Sequence, residues 1–507
     1  MELTLLLLIP VASAVLGGLL GKNAVRSVAI LGALGTLGLA IGIALNWDSS
    51  LGGSQFSIDN VWVSQLGIHW AFAVDGLNLA LIVLTAFVYA SVTVACALRD
   101  LESPRLFFFQ LGLAASSVIG AFLAQDLILF VFFFDLMLVP FYFLVGQWGT
   151  GDRVAATTKM VIYTLAGSLL MLAAAVATGV MAASEHGRHI DFLISNLQHL
   201  PLSKGTQDWI FLCFAAAFLV KMPAVPFHGW LKDAYKAMPL PVLALFSGVL
   251  SKVAAYGFLK TALPLFPDAA ANFQTLMLVL AVISILYGSA LAFTTSDARL
   301  VVGYSSIAQL GFIVIGIFSL TADGAQGAIL QMVNHGVVTV ALVMVVGMLA
   351  SRAKGSEDLG SMGGMAMGAP VLAVVFLIAA FANLAMPASA NFVGEFLILK
   401  GVFSSTATIA VIATIGIAMA AVYMLRAYIK AMHGPDVNGV EQREISFREA
   451  LPVVPAILVI IGLALYPQVV LKTSENAAPE AVTTAAIKAH IPIQAKTVPL
   501  QVTKAVK

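Results

Sequence analysis

The chain has 507 residues, 60% of them hydrophobic and 10% charged, with a mean hydropathy of +0.99. Soluble domains average about 25% charged residues, so water is excluded as the main solvent. A net charge of +1 excludes the basic footprint of a nucleic-acid-binding protein.

Windows of about 20 apolar residues, enough to cross roughly 30 Å of hydrocarbon as helix, recur from end to end. Fourteen are predicted in chain order: 3–21, 27–46, 74–98, 107–124, 127–146, 160–183, 209–227, 241–263, 273–295, 301–320, 327–350, 370–403, 407–432 and 451–471. The pattern predicts an all-α polytopic protein whose single membrane domain covers 1–471. The longest polar insertions fall at 47–73 and 184–208, and a tail rich in Ala, Thr, Val and Lys follows over 472–507. The first span does not read as a cleaved leader, because its positive charge follows the apolar run.

Of the 26 Lys and Arg, 14 fall beside loops after odd-numbered spans, from Lys22, Arg26 and Arg99 to Arg443 and Arg448, and only Arg188 and Lys204 after even-numbered ones. The positive-inside rule then puts both termini, tail included, on the non-cytoplasmic side. Two cysteines, Cys96 and Cys213, cannot build an iron–sulfur cluster, which takes about four thiolates. No nucleotide loop and no metal site is expected either, so the energy for any transport must come from other subunits.

Spans seven and twelve carry the same triplet, Met222-Pro223-Ala224 and Met386-Pro387-Ala388. Proline removes a backbone donor and clashes with the preceding turn, so both spans are expected to break there. Their five-span separation predicts two inverted five-helix repeats, spans 4–8 (105–263) and 9–13 (273–432). Such transporter folds place ion sites at broken helices.

Inside these spans remain Asp135, Lys221, Lys252, Lys260, Glu395, Lys400 and Arg426. A charge at mid-helix costs about 2.5 to 3.5 kcal/mol even on lenient scales. Lys252 lies at the centre of span eight, Asp135 near that of span five, and Lys221 just before the first break; none can snorkel. Lys260, Lys400 and Arg426 lie nearer span ends, where snorkelling accounts for them. Burial disfavours charge and a nearby carboxylate restores it to a lysine, so shifting an acid would load or release a proton. Asp135 is read as modulator of Lys221, Lys252 as the central relay and Glu395 as the hand-over group. Tyr304, Ser305, Ser306, Gln309, His335 and Lys400 are candidates for the connecting water wire.

The strings VKMPAVPFHGWL (220–231), SGVLSKVAAYGFL (247–259), YSSIAQLGF (304–312) and NFVGEFLI (391–398) resemble the antiporter-like subunits of respiratory complex I. FFFDLMLVPFYFLVGQWG (132–149), YTLAGSLLML (163–172) and AVDGLNL (73–79) support the likeness, which runs from about residue 70 to 470. The M-type subunit, also called chain 4, is the best match. The resemblance implies a subunit of the NADH-quinone oxidoreductase enzyme, in a bacterial plasma membrane. Its implied partners are L-type and N-type subunits, with FMN, iron–sulfur clusters and quinone held elsewhere in the complex. It puts Asp135 where the family has a glutamate, Lys221 and Lys252 on the family lysines and Glu395 on the terminal acid. Gln309 stands where many relatives have histidine, Lys232 replaces a usual proline and Lys400 is an extra cation. Three readings stay open: a proton-translocating subunit, a member of a sodium/proton antiporter or membrane hydrogenase, and a non-transporting scaffold.

Overall fold

Hydrocarbon offers the backbone no hydrogen-bond partner, so an apolar span must satisfy its own amides as helix. In the computed structural model, residues 2–21, 24–435, 437 and 439–492 are described; Lys22 and the tail from 493 onward lie outside them. Twelve helices among the described residues are long and apolar enough to cross a membrane. They are α1 (Glu2–Leu20), α2 (Ala24–Leu45), α3 (Leu79–Ala97), α4 (Pro104–Leu123), α5 (Leu127–Trp148), α6 (Arg153–His186), α8 (Leu240–Leu265), α9 (Gln274–Thr294), α10 (Ala298–Phe318), α11 (Ala322–Arg352), α13 (Ala407–His433) and α14 (Phe447–Leu465). The two predicted windows outside this set are the two that carry the Met-Pro-Ala triplets.

There the chain is interrupted. Helix α7a (Lys204–Lys221) stops one residue before Met222, and after non-helical residues and a 3-10 turn (Phe227–Trp230) α7b (Leu231–Ala237) resumes. Helix α12a (Pro370–Asn383) stops three residues before Met386, and α12b (Ala390–Ser405) restarts after Ala388. In the second break Ala385 and Ala388 hold φ of 53° and 69°, a region costly for any residue with a Cβ. Helix α5 also falters at Met137, because Pro140 offers no amide to the carbonyl four residues earlier.

Helices α8, α10 and α11 form the centre, and all 21 residues of α10 are buried. Outer helices keep large apolar side chains exposed, Leu19 on α1 and Leu465 on α14 among them, as a lipid-facing surface requires. Helices α11 and α12b approach so closely that a Cβ on Gly327 would lie 2.7 Å from the Ile398 amide nitrogen, the small-residue packing typical of membrane helices. Helix α8 is less regular than expected. π-turns at Phe246–Leu250 and Phe258–Ala262 widen it on either side of Ser251–Gly257.

One further element departs from the all-helical expectation, and the described part of the tail carries structure of its own. The polar insertion after α2 forms an antiparallel hairpin, β1 (Gln55–Val63) with β2 (Ile68–Val74). Asp126 ties it down, accepting from the amides of His69 (2.9 Å), Ile128 (2.9 Å) and Leu129 (3.0 Å), so that one carboxylate caps α5 and anchors β2. The described part of the tail is helical: α15 (Gln468–Ser474) and α16 (Ala477–Lys488). Helix α16 docks on the end of α8 and on α11, with Lys488 3.0 Å from Asp268.

Between α13 and α14 the loop is latched to the bundle. Arg352, fully buried at the end of α11, donates to the carbonyls of Met348, Arg443 and Glu444 and to the Glu449 carboxylate. Glu444 caps α12a through the amides of Val371 (2.7 Å) and Leu372 (3.1 Å). Burial works against the Glu444 carboxylate, yet the amides of Ile445, Val371 and Leu372 and the Arg352 charge hold it below the usual glutamate range. A depressed carboxylate stabilises at neutral pH, and that contribution is lost as pH falls through its folded value. Hydrogen-exchange protection of Val371 and Leu372 is therefore expected to persist until pH drops below the ordinary glutamate range, and to be weakened at neutral pH in Glu444→Ala. Equal protection in the two chains at pH 7 would refute this capping role.

Candidate functional site

Lys221 is the last residue of α7a, and beyond it the Met222 and Ala224 amides and Trp230 Nε1 serve the carbonyls of Phe218, Leu219 and Val220. The Lys221 side chain is buried, and Nζ donates to the Phe134 carbonyl at 3.0 Å while lying 4.4 Å from the centre of the Phe134 ring. No Lys221–Asp135 ion pair forms within 4 Å among the described residues. Asp135, one residue beyond that carbonyl and beside the α5 irregularity, keeps a buried Oδ1 with no hydrogen-bond donor. Lys221 and Asp135 remain near enough to interact electrostatically, so the shorter aspartate side chain sits beside the lysine without closing on it.

Lys252 is fully buried at mid-α8, immediately after the first π-turn. Its Nζ donates to the Ser247 carbonyl at 2.6 Å and lies 3.4 Å from Ser251 Oγ. The extra residue in a π-turn shifts the backbone register, and here the ammonium sits on a carbonyl of that widened turn. No carboxylate pairs with Lys252 within 4 Å among the described residues. His335, also fully buried on α11, is close enough for an electrostatic interaction with Lys252, and neither ring nitrogen has a protein partner.

Glu395 lies in the first turns of α12b, just beyond the second break, and is buried. Gln309 Nε2 on α10 donates to its Oε1 at 2.8 Å, and Gln331 Nε2 on α11 donates to Gln309 Oε1 at 2.7 Å and approaches Glu395 at 3.4 Å. Gln309 therefore meets Glu395 directly. Around this triad Asn383, Asn391 and Ser389 at the break, Asn334 Oδ1 on α11 and the Tyr423 hydroxyl on α13 are buried without a partner.

The remaining candidates divide. Ser305 and Ser306 are buried but bond back to the Val302 carbonyl, and Tyr304 is buried on the same helix. Lys400 is not brought into the buried file: its half-exposed side chain pairs with Asp323 at 3.0 Å. Lys232 is exposed. Arg426 lies over the Phe293 ring and donates to the Phe293 carbonyl. Lys260 is part-buried and forms an ion pair with Asp75 at 2.7 Å. A reading keyed on charge passes over the amides Gln331, Asn334, Asn383 and Asn391. The available signal is spacing, since Gln331, Asn334 and His335 sit three and four residues apart and so share one face of α11.

Buried polar atoms normally find a protein or water partner. Of the orphaned groups, His335 lies beside Lys252, while Asn334 reaches the Ala390 carbonyl and Gln309 joins the Asn383 carbonyl to Glu395. A separate cleft of about 610 Å³ opens where α7b ends, lined by Lys159, Asp233, Lys236, Arg299 and Glu357. None of Asp135, Lys221, Lys252 and Glu395 lines it.

Comparison with known proteins matches residues 124–420 to the family described as NADH:quinone oxidoreductase/Mrp antiporter, TM. The chain is 37% identical over 445 residues to NADH-quinone oxidoreductase subunit M of Escherichia coli (strain K12), covering 86% of this chain and 87% of that one. It is 39% identical over 433 residues to subunit M of Pseudomonas aeruginosa, covering 83% of each. Among solved structures it is similar to a chain of respiratory complex I from Thermus thermophilus with bound NADH, at a TM-score of 0.88 and 29% identity over 96% of this chain and 100% of that one. A chain of the Mrp complex from Dietzia sp. DQ12-45-1b shares the fold, with a TM-score of 0.81 at 21% identity over 97% of this chain and 99% of that one. The helical architecture, the two interrupted helices and these matches together establish that the chain belongs to the NADH:quinone oxidoreductase/Mrp antiporter membrane family, among the M-type subunits of NADH-quinone oxidoreductase.

Proposed function

We propose that this chain translocates protons as an antiporter-like subunit of an NADH:quinone oxidoreductase. The relay runs through Asp135, Lys221, Lys252 and Glu395, with His335, Gln309 and internal water between the last two. The observation that carries this reading is the set of buried polar atoms without protein partners beside Lys252 and around Glu395, the His335 nitrogens, Asn334 Oδ1 and the Asn383 and Asn391 amides among them. A dry structural core would have no use for so many, since each unsatisfied group costs about 1 to 3 kcal/mol. FMN, iron–sulfur clusters and quinone belong on this reading to other subunits, and neighbouring L-type and N-type subunits flank the chain in the membrane. Fourteen crossings result when the interrupted α7a–α7b and α12a–α12b segments each count as one span. Residues 105–263 and 273–432 are then the two inverted repeats, in a bacterial plasma membrane with both termini non-cytoplasmic.

Glu395→Gln tests the relay. The amide preserves size and one acceptor for Gln309 but cannot hold an extra proton, so protons pumped per quinone reduced should fall in sealed vesicles while the assembled complex persists. An unchanged ratio refutes the relay through Glu395. Undiminished pumping in sodium-free medium is expected on the proton reading, and a strict sodium requirement would favour the antiporter alternative.

A further inference from the structure

Lys252, Tyr256 and Lys260 follow one another at intervals of four along α8, and so lie on one face. The face points from the central lysine toward the end of the bundle that carries the β-hairpin and α16. Tyr256, fully buried, donates its hydroxyl to the Phe122 carbonyl at 3.0 Å, and Asn78 Nδ2 donates to the same carbonyl at 2.8 Å. Asn78 Oδ1 accepts from the Asp75 amide at 2.8 Å, and Asp75 Oδ1 accepts in turn from the amides of Leu77 and Asn78. The chain of contacts ends at Lys260, whose Nζ donates to Asp75 Oδ2 at 2.7 Å and Gln125 Oε1 at 2.8 Å. Beyond this pair lies a cavity of about 530 Å³, lined by Asp75, Gln125 and Lys260 on one side and by Asp268, Glu480 and Lys488 on the other. The second π-turn, Phe258–Ala262, contains Lys260, as the first precedes Lys252.

We infer that the Lys260–Asp75 pair, braced by Gln125, is a plug that closes the Lys252 file against proton or hydronium entry from the hairpin end. This rests on the proposed relay through Lys252. Asp75 is engaged on both oxygens and Lys260 on two acceptors, so the pair is a fixed fitting between cavity and file. The pair occupies the mouth, and its cation offsets the pull that Asp75 alone would exert on a proton; cations at pore mouths exclude protons in this way. Tyr256 is the joint between the two lysines. Its hydroxyl is committed to a backbone carbonyl, which leaves the passage dependent on the plug for its seal.

The test is passive proton leakage in vesicles carrying the intact complex, read as decay of an imposed pH gradient without substrate. Lys260→Met keeps the side-chain length and removes the charge. Two turns of helix put Lys260 roughly 12 Å from Lys252 along the axis, and a unit charge at that range with an effective dielectric of about 20 corresponds to about a tenfold faster leak when removed. Lys260→Arg should stay tight, and the double variant Lys260→Met/Lys252→Met should return to the parental rate. An assembled Lys260→Met complex that does not leak overturns the plug, as does a leak that survives in the double variant, since it then bypasses Lys252. Lys260→Gln carries the same test if the methionine chain fails to assemble. Intact pumping in Lys252→Met alone defeats the relay instead, so the two failures are distinguishable.

Discussion

Lys252→Met is expected to abolish coupled proton pumping while leaving the complex assembled. Lysine at this position is fully buried, with its ammonium resting on the Ser247 carbonyl; methionine fills a similar volume and holds no proton. A proton crossing the same stretch would have to travel as a bare charge at mid-membrane. A penalty of about 3 kcal/mol for that charge is roughly a hundredfold in rate. The measurement is the proton-to-electron ratio in sealed vesicles beside the quinone-reduction rate with an uncoupler present. A ratio at the parental level would place the protein with the scaffolds and remove Lys252 from any route.

Arg352→Met should produce the largest loss of stability. Arg352 is enclosed, and its guanidinium serves three backbone carbonyls besides the Glu449 carboxylate, at 3.0 Å from Oε1. Removing one partner of a buried pair typically costs about 3 to 5 kcal/mol, and here it also strips donors from the Arg443 and Glu444 carbonyls. Glu449 keeps a capping box with Ser446, so the lower part of that range is expected. The melting temperature of the purified complex, or the fraction of chain that assembles, reads the effect, and Arg352→Lys should recover part of it. A methionine variant that melts with the parent would show that the latch contributes nothing.

Much of this architecture is legible from residue order because lipid enforces simple rules. Apolar length marks the helices, and proline marks where two of them fail, at Met222-Pro223 and Met386-Pro387. The deep ionisable residues Lys221, Lys252 and Glu395 stand out because burial makes each expensive. What order alone conceals is geometry with no compositional price. The first π-turn contains Gly248 and the second is followed by Pro264, which offers no amide to the Lys260 carbonyl, but neither residue by itself announces a π-turn. The hairpin at Gln55–Val63 alternates only weakly, and its anchor Asp126 looks like an ordinary loop acid. Asp135 and Lys221 illustrate the remaining limit. Residue order names both as deep ionisable groups, but not that the lysine takes the Phe134 carbonyl as its acceptor.

The two alanines of the second break bear on how readily α12a and α12b could change their relative pose. Held at positive φ, each forgoes on the order of 1 to 2 kcal/mol relative to an ordinary backbone conformation. The packing around Glu395 therefore sustains that strain, and a rearrangement that returned either alanine to negative φ would release it.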